Sequence, residues 1–450
     1  MSSPYTDHPL THAQQGMWFL ERMSRGAVYV DPMTFRLTGR LDVGALCRGV
    51  AQLCHRHAAL RTTFPLLGGR PVQRVSEQVT VPVRQVDLSA HDEADREREL
   101  TALLEADTRD RFDLAEGPLV RVLLVRLGPE EHVLRMTAHH LVSDAWSWWA
   151  VLLRELETLY AAALDGRDAG LAPSPGQFPD FVHWHRDWCA GPGYDRQLTY
   201  WKSTLASLQP LPELDLARSG QPAAGRRTGT VWATVPRPVA AALDDVRTYA
   251  RVTPFMLLLA AFQVVLGRHT GTDDIAVGTR AAVRSRPEFE DAVGFFVNLL
   301  VLRTDLGRAT TFRKLLHAVR ATALGAYAHR EIPFEKLVEE IRPARRGRFH
   351  SLVNVLFSFQ SIPEVPPRLP GLDARLINHD PQTLYDLDLV FFEEDGELRA
   401  LLTYDGHRYT AQAATGLLGE VCDVLAAVAA DPDVPLSALL VPTKAMPHAG

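Results

Sequence analysis

Residues 118–140 read PLVRVLLVRLGPEEHVLRMTAHH. Two Val- and Leu-rich runs flank GPEE, the pattern of two strands joined by a turn. The first run covers 118–127, and the second returns to end on two adjacent histidines, His139 and His140. From Ala145 onward apolar residues recur with helical spacing: Trp149, Leu152, Leu153, Leu156, Leu159, Tyr160 and Ala163 mark one face. Asp165-Gly166 is the stop signal. A strand pair followed by a long amphipathic helix restricts the chain to folds that mix sheet and helix. It also sets Asp144 at or near the helix N-cap, where a carboxylate meets free N–H groups and the positive end of the helix dipole.

The rest of the chain alternates in the same manner. Thr11 and Gln14 have capping-box spacing, and Met17 and Leu20 follow on the face of Ala13. In LDVGALCRGVAQLCHRHAAL the positions Val43, Leu46, Cys47, Val50, Leu53, Cys54 and His57 repeat helically, so Cys47, Cys54 and His57 read as a core face. GRDAGLAPSPGQFP (166–179) reads as a linker. Strands are expected at VWATVP, DDIAVGT, VGFFVNLLVLRTDL (293–306), LVNVLFSFQ and LVFFEEDGELRALLTYDG. Helices are expected from Thr253-Pro254 and through TFRKLLHAVRATALGAYAHR. The apolar run 254–267 is shorter than a membrane span and reads as a buried helix. The expected architecture is α/β with two lobes of similar size, residues 1–175 and 176–440, and a tail at 441–450.

A net charge of −6, from 48 basic and 54 acidic residues, argues against a nucleic-acid surface. The four cysteines form no C-x-x-C, so neither a zinc knuckle nor a thioredoxin-type site is indicated. Their scarcity suits a reducing cytoplasm, and the N-terminus lacks the apolar stretch of a signal peptide. A cytoplasmic chain without membrane association is expected.

Neighbouring side chains on a strand point to opposite faces, so His139 and His140 cannot share one task. One is expected to be buried and hydrogen-bonded, the other free to face a cleft. Imidazole is the side chain best matched to moving protons near neutral pH. A zinc site would need a third ligand at its own spacing, and no H-E-x-x-H accompanies the pair. A Ser-His-Asp hydrolase would need a nucleophile elbow, and G-x-S-x-G does not occur. On these grounds alone a packed histidine pair and a catalytic one both stand.

HHLVSDAWS resembles the His-His-x-x-x-Asp-Gly motif of the condensation domains of nonribosomal peptide synthetases, members of the chloramphenicol acetyltransferase-like superfamily. Other segments agree with that family in its own order. LTHAQQGMWFL (10–20) is similar to L-S-x-A-Q-x-x-x-W-F-L, and RHAALRTTF (56–64) to R-H-E-x-L-R-T-x-F. FPDFVHWHRDW (178–188) resembles the block around Y-x-D-Y. VGTRAAVRSRPE with VGFFVNLLVLR (277–303) resembles the block ending G-F-F-V-N-T. AHREIPFEKLVEEIRP (328–343) and YDLDLVF match the two late blocks. The resemblance runs from residue 9 to about 435.

The resemblance implies two lobes in a V-shaped pseudo-dimer with the active site in the interface tunnel. It implies that a carrier protein presents an acyl or aminoacyl thioester on a phosphopantetheine arm, and that an amine or alcohol acceptor attacks it. No bound cofactor and no metal are implied. His140 would be the catalytic residue and His139 structural. Asp144 would pair with an arginine of the second lobe, which falls on Arg284, with Arg280 and Arg286 as neighbouring competitors. Ala145 stands where the family usually has Gly. Ala145, Ser147 and Asn298 are candidates for the substrate or pantetheine tunnel, Ser147 also for the helix cap and Asn298 also for bracing a loop. RPARRGR (342–348) is a solvated loop or a docking site for an acidic carrier. Without adenylation or carrier segments, the chain reads as a free-standing condensation enzyme. A CoA- or carrier-dependent O-acyltransferase of the same superfamily and a non-catalytic recruitment domain of this fold are the alternatives.

Overall fold

A computed structural model describes residues 4–23, 29–209, 211–214, 216, 228–341, 352–360, 364–377, 383–394 and 396–441. The basic run 342–348 and residues 442–450 of the expected tail lie outside them. The chain divides into two compact units that are discontinuous in sequence. The first comprises Met1–Gly193, Ala282–Val297 and Ile362–Asp380; the second comprises Tyr194–Ala281, Asn298–Ser361 and Pro381–Gly450. This division differs from a single boundary between 175 and 176. Helix Phe178–Cys189 stays with the first unit because Phe178, Phe181 and Val182 pack in one cluster with Phe289 and Phe296.

In the first unit the expected hairpin is present as strands Val120–Gly128 and Glu131–His139. Among the described residues they lie inside a five-stranded sheet, in the order Leu372–Leu376, Val30–Gly39, Glu131–His139, Val120–Gly128, Val83–Asp87. Register explains the nearly continuous apolar run. Val120, Val122 and Leu124, opposite Ala138, Met136 and Leu134, join the larger core cluster. That core also holds Leu46, Val50 and Leu53 of helix Val43–Arg56 and Leu153, Leu156 and Tyr160 of helix Leu153–Leu164. Leu123, Val125, Leu127 and Val133 pack in a second cluster with Leu100 of helix Glu93–Arg109. Both faces are covered, so both parities of each strand are apolar. The exceptions on the second face are Arg121, Arg135 and Thr137, which all bond the Asp107 carboxylate at 2.7–2.8 Å.

The second unit is built on a sheet that has six strands among the described residues. Their order is Thr228–Val235, Glu397–Asp405, Leu387–Glu394, Val355–Gln360, Asp274–Ala282, Val297–Asp305. The helix from Thr253-Pro254 runs Pro254–Thr270, capped by Thr253 Oγ1 accepting from Met256 N–H, and every residue from Met256 to Gly267 is buried. Ala411–Ala430 is, among the described residues, the one single helix with the length and hydropathy of a membrane span. It buries Leu417, Leu418, Val421, Val424, Leu425 and Val428 along one face, the pattern of a core helix.

Helix His12–Met23 shows where polarity overrides pattern. The capping box is as expected: Gln14 N–H donates to Thr11 Oγ1 and Thr11 N–H to Gln14 Oε1, each at 3.0 Å. The buried stripe, however, is Gln14, Met17 and Glu21, not Ala13, Met17 and Leu20. Gln14 Nε2 donates to Leu141 O (2.9 Å) and Gln73 Oε1 (3.1 Å), so a fully buried amide pins the residue that follows His140. Replacing Gln14 by Ala leaves these acceptors and Thr11 N–H without their partner in a dry site, each at about 1–3 kcal/mol. A Gln14→Ala protein is expected to melt well below wild type, while Ala at exposed Gln15 leaves the thermal transition nearly unmoved.

Candidate active site

The hairpin ends in a tight turn. His139 N–H donates to Leu119 O and His140 N–H to Tyr29 O, both at 2.9 Å, and Val142 N–H then turns back to His139 O. His139 continues the side-chain row of Val133, Arg135 and Thr137; His140 continues that of Leu134, Met136 and Ala138. The two imidazoles therefore meet different surroundings. His139 is fully buried, with Tyr29 and Phe112 ring centroids 6.3 and 6.1 Å away. Its Nδ1 accepts from Leu141 N–H at 3.0 Å, which fixes the proton of the neutral ring on Nε2, 4.0 Å from Glu21 Oε2. Burial pushes this imidazole from its ordinary 6.5 down to about 3, and the nearby His140 and Arg111 push the same way. His139 is thus a neutral packing residue at physiological pH.

His140 is half-buried, and its ring lies 6.4 Å from that of Phe295. Its Nδ1 sits 3.4 Å from Ser143 O, an acceptor that favours the proton on Nδ1. The Nε2 lone pair is then the basic edge of the ring.

Asp144, 3% exposed, is the N-cap of the following helix and the centre of a buried polar hub. Its Oδ1 accepts from Ser147 N–H and Ser147 Oγ, each at 2.7 Å, and from Arg284 Nη2 at 3.1 Å. Its Oδ2 accepts from Phe296 N–H at 3.0 Å and from Arg284 Nη2 at 3.2 Å. Arg284 also donates to the carbonyls of Phe289 and Ala292 at 2.9 and 2.5 Å, and its guanidinium lies 3.8 Å over the Phe296 ring. Burial lowers the Arg284 pKa, and Asp144 works against that shift. The pair joins Asp144 to the Ala282–Val297 segment, which belongs to the same compact unit as the histidines. That is a correction: the arginine was expected from the second lobe. Arg280 and Arg286 are committed elsewhere, to Asp388 (2.6 Å) and Glu288 (2.5 Å).

The three remaining candidates take different places. Ala145 is exposed in the first turn of the helix. Ser147 is fully buried; besides Asp144, its Oγ meets Gly294 O, Gly294 N–H and Arg284 Nη2, each at 3.1 Å. It occupies the N3 position of the cap, and a tunnel contact would have to displace one of these bonds. Residues Ser147–Leu152 form a π-helical turn before the α-helix begins at Leu153. Asn298, in the second unit, donates through Nδ2 to the carbonyls of Arg330 and Ile332 and accepts at Oδ1 from Leu299 and Phe334 N–H. Both amide protons and both lone pairs are thereby used, so Asn298 braces the turn 330–334. Sequence reasoning missed Gly294, Phe295, Phe296 and Gln14 as parts of the site. The GFF run was visible, but nothing in its spacing tied it to residues 150 positions earlier.

The condensation-domain family model matches residues 5–447. A linear gramicidin synthase polypeptide of Brevibacillus parabrevis is 37% identical over 444 residues, covering 96% of this chain. The chain spans 6% of the length of that synthase. Among solved structures, the X-domain in complex with OxyB from teicoplanin biosynthesis matches with a TM-score of 0.85 and 26% identity, over 99% of this chain and 98% of that one. SgcC5 of Streptomyces globisporus matches with a TM-score of 0.76 and 28% identity, over 95% and 100%.

Breaking a buried ion pair strands a charge at a cost of about 3–5 kcal/mol. Asp144→Ala and Arg284→Met are each expected to lower stability by about that amount in urea titrations. The double variant is expected to lose much less than the sum, because neither partner is then left alone. His139 makes stability pH-dependent. Its folded pKa lies below its unfolded one, so its stabilising contribution is complete above about pH 6.5. It is lost progressively as pH falls from there toward about 3. A His139→Asn protein is expected to show a flatter stability profile between pH 6.5 and 4 in chemical denaturation.

Proposed function

The chain belongs to the condensation-domain family of nonribosomal peptide synthetases and has its chloramphenicol acetyltransferase-like α/β fold; on that footing we propose that it joins a carrier-tethered acyl or aminoacyl thioester to an amine or alcohol acceptor. The observation that carries this reading is the division between the two histidines. One is sealed and held neutral, whereas the other is half-buried with its Nδ1 near a carbonyl and its Nε2 edge left for chemistry.

In the proposed reaction the acceptor nitrogen or oxygen attacks the thioester carbon, and His140 Nε2 takes the acceptor proton. The tetrahedral intermediate collapses by breaking the C–S bond. The pantetheine thiolate leaves and recovers a proton, and the acceptor carries the new amide or ester. His140 changes charge only transiently, and the protonated ring then faces the oxyanion, which it stabilises. Asp144 and Arg284 act by holding the loop that presents His140. The pantetheine arm is substrate, delivered by a carrier protein. The chain's own residues supply no metal or redox step in this scheme. Cytoplasmic action suits its free cysteines.

A second reading, a recruitment domain that binds a partner protein without catalysing, draws support from the likeness to the X-domain solved with OxyB. Ala145 in place of the family's usual Gly belongs with that reading. Intact-protein mass spectrometry separates the two. Carrier proteins loaded with a panel of acyl groups are mixed with amines and alcohols, and wild type is compared with His140→Ala. Product is expected from wild type, with turnover down about 10²–10⁴-fold in the variant. Turnover of acyl-CoA but not acyl-carrier would replace the proposal with an O-acyltransferase. Stable partner binding with no turnover by wild type would favour recruitment.

A further inference from the structure

The hub around Asp144 fixes more than a helix start. It grips the backbone of Gly294, Phe295 and Phe296 from both ends. Gly294 N–H and O both meet Ser147 Oγ, Phe296 N–H donates to Asp144 Oδ2, and Phe296 O accepts from Val283 N–H at 2.8 Å. Gly294 tolerates no side chain, since a Cβ there would sit 2.1 Å from Phe178 Cδ2. Phe296 is fully buried under Arg284 and against Phe178 and Phe181. Phe295, between them, is only half-buried, and it is the ring that flanks His140. This residue makes no part of the hub; its ring packs against the edge of the core yet stays partly exposed, and bonds to Gly294 and Phe296 hold the backbone on either side of it.

We infer that Phe295 is a specificity-determining residue: its ring is an apolar wall beside His140 that favours substrates carrying an apolar group next to the reacting atom over those carrying a charged one. The inference rests on the condensation reading for its biological meaning, but the wall itself does not. A charged group set against the ring would give up hydration without gaining a partner, while an apolar group would gain contact area. Discrimination of roughly 10–200-fold is the scale on which such a pocket wall acts.

The test uses the chemistry of His140 alone. Wild type, Phe295→Ala, Phe295→Gln and Phe295→Leu are each treated with 2-bromoacetophenone and with bromoacetate. Peptide mass spectrometry follows alkylation of His140, where the imidazole lone pair forms the new C–N bond as bromide leaves. The ratio of the two rates is normalised to that of Nα-acetylhistidine. The same lone pair attacks both reagents, so changes in His140 nucleophilicity cancel in the ratio. The aryl-over-carboxylate preference is expected to fall about tenfold or more in Phe295→Ala and Phe295→Gln and to survive largely in Phe295→Leu. Thermal melting identifies which variants are folded, and the Ala and Gln variants back each other up. An unchanged ratio in either folded variant overturns the inference. So does wild-type His140 that resists both reagents, since the wall would then border no open edge. Condensing activity plays no part in this readout, so a failed condensation assay and a failed wall are separate results. If condensation does occur, the kcat/KM preference for an apolar over a carboxylate-bearing acceptor is expected to drop by the same factor.

Discussion

The Asp144 carboxylate receives five hydrogen bonds from three residues in a site that is almost completely buried. It caps the helix, neutralises Arg284 and takes the N–H of Phe296. A carboxylate alone there would cost several kcal/mol, and so would the guanidinium. Together, with carbonyls satisfying the outer arginine nitrogen, they close a network whose parts each require the others. Removing any member exposes a buried charge or donor, which is why this small cluster can dictate the course of two chain segments far apart in sequence.

One of those segments carries the histidines. Strand geometry sends His139 and His140 to opposite sides, and the two surroundings then diverge chemically. His139 loses its ability to hold a proton because desolvation penalises the imidazolium. In exchange it accepts the N–H of Leu141 and packs between Tyr29 and Phe112. Gln14, from the first helix, takes the carbonyl of the same Leu141. The turn is therefore held at both backbone atoms of one residue, and His140 is presented by a loop with little freedom to move.

The other segment is the stretch ending GFFVN. Its residues alternate between a glycine that the core cannot enlarge, a phenylalanine beside His140 and a phenylalanine under the arginine. The π-helical turn that starts at Ser147 belongs to the same region. Such turns are frequent at functional sites, and here the turn lies where Ser147 Oγ reaches the Gly294 backbone.

Much of this architecture is legible in the order of the residues. Periodicity marks the hairpin, the helices and the buried run 254–267, because both faces of a covered sheet and all sides of a core helix must be apolar. The capping box at Thr11 and Gln14 and the N-cap at Asp144 follow from residue type and spacing, since both are local. Opposite facing of the two histidines follows from the two-residue period of a strand. What the sequence could not decide were contacts made at long separation by polar groups. Gln14 and Glu21 look like surface residues on a helix, but both are buried. Asn298 looks able to bind a ligand, but it has spent its amide on the turn 330–334. Arg284 was singled out by resemblance, but only the folded chain decided that its segment joins the unit of the histidines. Local rules fix a residue's secondary structure through its neighbours. The partner of a buried charge or amide is fixed by which distant backbone comes to lie beside it, and that is decided only when the core closes.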